Sequence, residues 1–272
     1  MVIKCDICSD LHIDQWNKTL KQKYPCGIRT FNNLSWKKKD NTILIIAGDI
    51  SDNINLSIDY INNISHNYEQ ILFIDGNHEH VELYPKLYTT EYINKIVKQK
   101  QNDKLIYLPC NDYIIGDTVF IGFCGWWNYN KYSLKDINKS VDYFKNWIDE
   151  MNHSDSRNFI YNVFSKSKDE YSKLIFKLNK YHNNNNISNI IIVTHTQPDI
   201  SFINLEDLAT ELNTEFENIT SEKFPKIKHW IFGHTHEQHI TKKNNIIYTC
   251  NPRGRPDDFN RITYDLYELT IP

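Results

Sequence analysis

Residues 42–49 read Thr-Ile-Leu-Ile-Ile-Ala-Gly-Asp, an apolar run of strand length from Thr42 to Ala47 that is broken off by Gly48 and Asp49. A run this short, rich in β-branched residues and stopped by a turn residue, fits a strand buried between helix layers. Its polar end then falls in a loop at the strand's carboxyl end, where α/β folds carry functional side chains. Three more runs repeat the pattern: Val2 to Cys8 leads to Asp10-Leu11-His12, Gln70 to Ile74 leads to Gly76-Asn77-His78-Glu79, and Ile190 to Thr194 leads to His195. A fifth polar cluster is Gly233-His234-Thr235-His236.

Helical patterns occupy Leu56 to Asn67, Glu91 to Gln101, Ser133 to Met151 and Asn158 to His182. In the third, Ile137, Val141, Phe144, Trp147, Ile148 and Met151 recur at three- and four-residue steps, as on one face of a helix. The last two patterns interrupt the strand rhythm, so residues 1–272 read as a single domain with a helical insertion at about 132–182. Tyr113 to Gly122 reads as a hairpin turning at Gly116-Asp117, and Ile240 to Cys250 as another turning near Asn244-Asn245. With Tyr264 to Thr270 they predict a second, more antiparallel sheet.

Composition narrows the function classes. Apolar residues make up 40% and aromatics 13% of the 272 residues, enough for a large core, which excludes disordered and collagen-like chains. Thirty-one Lys and Arg against 34 Asp and Glu give a net charge of -3, which weighs against broad affinity for nucleic acid. No apolar run reaches membrane-span length, and Lys4 and Asp6 interrupt the amino-terminal segment where a signal peptide would need an apolar core. The expectation is a cytoplasmic protein with no obligate protein partner, its six cysteines reduced. Cys5 and Cys8 form a single C-x-x-C inside the first strand, read as packing rather than a metal or redox site. Only eight glycines are present, and Gly48, Gly76 and Gly233 each precede a polar cluster, where a sharp turn is expected.

Five clusters of Asp, Asn and His at strand ends are too costly to bury as plain packing. Asp10, His12, Asp49, Asn77, His195, His234 and His236 supply hard and borderline donors without a thiolate, which suits Mn, Fe, Zn or Co better than a cysteine-based zinc site. With one carboxylate bridging, two ions about 3.5–4 Å apart can clamp a phosphate while a bridging water of lowered pKa attacks in line.

The order D-x-H, G-D, G-N-H-E, H, G-H-x-H resembles the calcineurin-like metallophosphoesterase superfamily. Cys250-Asn251-Pro252-Arg253-Gly254 is similar to a C-N-P-R-G segment of a single-domain branch, and Gly125-Trp126-Trp127 to another of its segments. The resemblance implies a four-layer α/β/β/α sandwich of two mixed sheets with a dinuclear metal site at the carboxyl ends of the strands. It implies Asp10, His12, Asp49 and His236 on one ion and Asp49, Asn77, His195 and His234 on the other, Mn2+ being favoured. His78 is implied as the residue that protonates the leaving group. Asp52 is expected to support a ligand histidine, and Glu79 to orient a histidine or start a helix. Arg253, Asn251 and Trp127 are candidates for substrate contact, Arg253 alternatively as an ion pair and Asn251 as a turn former. His80 and His239 are read as exposed neighbours. The segment Gly48-Asp49-Ile50-Ser51-Asp52-Asn53 lacks the arginine of protein phosphatases, which implies diesterase activity at least equal to monoesterase activity. The expected substrate is a nucleotide or another small molecule; single-stranded nucleic acid is the alternative, and a non-catalytic scaffold a weaker one.

Overall fold

The computed structural model describes residues 2–16, 36, 39–148, 150–202, 211–256, 258 and 264–272. Strand β2, Thr42–Ala47, shows why two sheets form. Ile43, Ile45 and Ala47 point into one hydrophobic cluster, and Leu44 and Ile46 into another. Because side chains alternate across a strand, a run apolar at every position must be covered on both faces. The first cluster lies between the sheets and also takes Phe120, Ile191, Val193 and Ile231 from the second sheet.

The first sheet has the order β11-β1-β2-β3-β4, with β1 at Ile3–Cys8, β3 at Gln70–Ile74, β4 at Leu105–Tyr107 and β11 at Tyr267–Ile271. Its outer face is covered by α1, Ile54–Ile64, which buries Ile54, Ile58, Ile61 and Ile64, and by α2, Thr90–Gln99. Asn53 begins α1 by accepting the Leu56 N–H on its side chain, satisfying an otherwise orphaned donor. The second sheet has the order β5-β6-β7-β8-β10-β9. Its strands are β5 Tyr113–Ile115, β6 Thr118–Phe123, β7 Asn189–Thr194, β8 Ile227–Phe232, β9 His239–Lys243 and β10 Ile246–Cys250.

Both expected hairpins are present. Asn244 and Asn245 carry φ of 48° and 62°, the paired positive values of a tight hairpin turn. Two expectations about the second sheet change. Its central pairings, β6 with β7, β7 with β8 and β8 with β10, are all parallel. Strand β11 belongs to the first sheet, antiparallel to β1, because Leu269 and Ile271 complete the cluster between the sheets.

Helices α3, Leu134–Trp147, and α4, His153–His182, pack on each other. The first half of α4 contributes Phe159, Ile160 and Val163 to a cluster with Ile137, Val141 and Phe144 of α3 and with Trp126 and Trp127. Its second half sends Leu174, Leu178 and Tyr181 onto the outer face of the second sheet. Between the halves, buried Glu170 accepts the Gly125 and Trp126 N–H groups at 2.8 and 3.3 Å. Burial pushes its carboxyl up to about 7. Cys5, Cys8, Cys110, Cys124 and Cys250 are free thiols, four of them buried, and Cys26 lies outside the described residues. Among the described residues no helix is long and apolar enough to cross a membrane.

Candidate metal centre

The loops after β1, β2, β3, β7 and β8 converge: backbone bonds join the first two and the last two, and His234 N donates to Asp10 Oδ1 at 3.0 Å across the pairs. Asp10 N donates to Gly48 O at 3.0 Å, His12 N to Asp49 O at 3.2 Å, and Gly233 N to His195 O at 2.9 Å. Five of the seven candidate ligands, Asp10, His12, Asp49, His234 and His236, have φ between 43° and 69°. Left-handed backbone costs a side-chain-bearing residue about 1–2 kcal/mol, so the five together store roughly 5–10 kcal/mol. That is comparable with the whole stability of a domain, about 5–15 kcal/mol, and persists only where the surroundings over-determine it.

Glu79 supplies much of that determination. It is fully buried and accepts N–H groups from Asp49 at 2.9 Å, Gly76 at 2.7 Å and Ile50 at 2.7 Å, with the Ser57 hydroxyl at 3.0 Å. The carboxylate therefore ties the β2 loop to the β3 loop through backbone; of its two expected roles, it stands in the first turn of the short 3-10 helix His78–Leu83, and none of these bonds goes to a histidine. The glycines act by size as much as by conformation. Gly48 has φ +81°, but Gly76 does not; a Cβ there would collide with Asp49 Oδ1.

All seven side chains come together. Asp10, His12 and His236 form one group of mutually adjacent donor atoms, Asp49, His195 and His234 form another, and His12, Asp49 and His78 link the two. Within the first, His12 Nε2 and His236 Nε2 lie 3.1 Å apart, and His236 Nε2 is 3.4 Å from Asp10 Oδ1. Within the second, His195 Nε2 is 3.1 Å from Asp49 Oδ2 and 3.1 Å from Asn77 Oδ1.

The titrating groups of this buried cluster set one another's charge. Burial alone would raise Asp49, yet His195 and His78 hold its carboxyl well below the usual range. Burial likewise opposes a charged His195, but the Asp49 carboxylate pulls the ring up to about 10. His12 is pushed well down by burial and by the neighbouring His78 and His236, which leaves it neutral with a lone pair to offer. Carboxylates, a neutral imidazole and an amide oxygen converging in a dry site form a donor set that fits divalent cations.

Carboxylates also stand behind three of the histidines, and two of those carboxylates were not found by sequence reading. Asp52 Oδ1 is 2.6 Å from His78 Nδ1, so its partner is His78 and not one of the expected ligand histidines. Glu211 Oε2 is 2.6 Å from His234 Nε2, and Asp258 Oδ2 is 2.7 Å from His236 Nδ1. Such partners fix ring orientation and raise the basicity of the opposite nitrogen.

The cavity over the cluster measures about 240 Å³ and is lined by Asp49, Asn77, His78, His234 and His236 below and by Tyr143, Phe144 and Trp147 of α3 above. Arg255 closes one side, its Nη2 2.9 Å from His78 Nε2. The three expected substrate contacts are elsewhere. Arg253 is buried with its guanidinium 4.2 Å from the Trp16 ring centre, a cation–π contact in the loop that follows β10. Asn251 donates its side-chain amide to Ile7 O at 2.9 Å and Asp265 O at 3.2 Å, shaping the chain rather than the cavity. Trp127 is buried beneath the cavity, its ring 5.7 Å from that of His234 and stacked on it.

His80 is also buried, not exposed. Its Nε2 faces Asp75 at 2.8 Å while its Nδ1 accepts the Tyr88 N–H at 2.9 Å, and burial lowers it to about 4. His239 is partly buried on β9.

Residues 3–238 match the family profile described as calcineurin-like phosphoesterase. The chain is similar to an uncharacterized protein of Acanthamoeba polyphaga mimivirus, 27% identical over 263 residues that cover 90% of this chain and 92% of that one. Its fold is similar to that of a phosphopantetheinyl hydrolase from Mycobacterium tuberculosis, with a TM-score of 0.66, 13% identity, and 98% and 95% of the two chains covered. A dimetal phosphatase from Danio rerio aligns with a TM-score of 0.53 at 11% identity, over 98% of this chain and 91% of that chain.

Proposed function

Because the chain belongs to the calcineurin-like phosphoesterase family, a family of metal-dependent phosphoester hydrolases, we propose that its strand-end cluster holds two divalent ions and hydrolyses small-molecule phosphate esters. One observation supports the reading: two carboxylate–imidazole groups lie side by side, and Asp49 of one is also within donor-atom reach of His12 of the other. Asp10, His12, Asp49 and His236 hold one ion, and Asp49, Asn77, His195 and His234 hold the other. When bound, the ions supply Lewis acidity toward phosphate oxygens and lower the pKa of water.

The remaining steps belong to the chain's own side chains. His78 keeps Nδ1 on Asp52 while its Nε2 accepts from Arg255 Nη2; when a phosphate oxygen takes over the Arg255 donor, Nε2 is released at the cavity wall, where a protonated ring can pass its proton to the departing oxygen. Arg255, beside it, offers a fork-shaped donor to a phosphate oxygen, the role expected of Arg253. Glu211 and Asp258 keep His234 and His236 aimed at the ions. Asp258 and Glu211 at the cavity also disfavour a polynucleotide, whose backbone would meet carboxylates.

Arg255 is the one guanidinium among the described residues lining this cavity, and a single fixed guanidinium suits the single charge of a diester. The expected result is hydrolysis of a bis-aryl phosphate at least as fast as a mono-aryl phosphate in Mn2+. A large monoester preference would remove the diester from this account.

A further inference from the structure

Helix α3 places Tyr143 and Trp147 four residues apart, hence on one face, and both line the cavity above the cluster. Tyr143 is 39% exposed, and Trp147 is half-buried with its ring edge-on to His78, centroids 5.4 Å apart at 81°. Their positions are fixed from below. Phe144 stacks on Trp127 at 6.2 Å and 4°, and Trp127 in turn stacks on His234. Phe144 also meets Trp147 edge-on at 5.8 Å. The roof is thus keyed to two of the site's own histidines, while the Tyr143 and Trp147 rings remain on the cavity side.

We propose that Tyr143 and Trp147 form a stacking platform that selects phosphate esters presenting one flat, unsaturated ring to it, of the size of an aryl group or a pyrimidine base, any second ester group lying outside the cavity. The proposal rests on the phosphoesterase reading above and names the substrate class of the same site. A cavity of about 240 Å³ takes a phosphate and a single ring, and is below the roughly 300–1,000 Å³ common for drug-sized ligands. A flat ring gains from an aromatic wall irrespective of its hydrogen-bonding edge, whereas an aliphatic polyol does not.

The test is calorimetric titration of the Mn2+-loaded protein with phenylphosphonate and with methylphosphonate, neither of which can be hydrolysed at an ester bond. The wild type is expected to bind the phenyl compound at least tenfold more tightly, about 1.4 kcal/mol. That ratio falls to near one in Trp147→Ala, is largely kept in Trp147→Phe, and drops part of the way in Tyr143→Ser, which changes an exposed position. A wild-type ratio near one, or a ratio that survives Trp147→Ala, overturns the platform while leaving the phosphoesterase reading in place. A protein that binds neither phosphonate refutes that reading and the platform with it.

Discussion

The floor of the cavity is built on five residues of left-handed backbone clamped by carboxylates, whereas its roof is regular helix packed ring on ring. In the floor, polar atoms converge at 3.1 Å, and the fold holds them there against local conformational preference. In the roof, local preference and packing agree. The difference teaches where each kind of substitution should register: floor changes in metal binding and turnover, roof changes in stability and ligand choice.

The largest expected effect breaks the floor at its shared donor. Asp49→Asn should lower kcat/KM by about a thousandfold or more, equivalent to about 4 kcal/mol of barrier, and should lose bound metal. Steady-state kinetics with metal analysis checks both. In the roof, Phe144→Ala removes a ring packed among Trp127, Trp147 and Phe159. It should cost about 3–5 kcal/mol of stability in urea unfolding. If Asp49→Asn unfolds the protein while Phe144→Ala only slows it, the contrast is the wrong way round.

Glu211→Gln sharpens the floor. The amide cannot hold His234 as a carboxylate does, so affinity for the second ion should fall about 10–100-fold by calorimetry. The smallest effect lies at the seam of the two regions. Glu170, held at about 7 against an ordinary 4.5, keeps a proton in the fold that the unfolded chain has already released. Its contribution is therefore complete below about pH 4.5 and declines as pH rises toward 7, by about 1.4 kcal/mol per pH unit at most. Glu170→Gln keeps an acceptor for Gly125 and Trp126 and should flatten that decline when urea midpoints are compared at pH 5, 6 and 7.

Legibility in the sequence follows the same contrast. The floor could be read because its chemistry demands particular residue types at strand ends, where an apolar run stops at Gly48-Asp49 or Gly76-Asn77. Glu211 and Asp258 could not, since neither follows a strand or shares a period with one; each reaches its histidine through tertiary approach alone. The two arginines after β10 show another limit. Gly254 takes φ 76° between them, so Arg253 turns onto Trp16 and Arg255 into the cavity, a reversal no spacing rule supplies. For α3, periodicity marked Phe144 and Trp147 alike as core-facing. The structure buries the first and leaves the second at the cavity wall. Strand β11 was legible as a strand, but its partner was not, because pairing with β1 depends on which sheet lacks an edge.

Metal content measured by mass spectrometry on the protein dialysed against Mn2+ tests the central claim most directly. The account predicts two ions per chain in the wild type and two in His78→Ala, whose turnover is nonetheless about 10²–10⁴-fold lower. A wild type that holds no stoichiometric metal and hydrolyses esters equally well after chelation would contradict it.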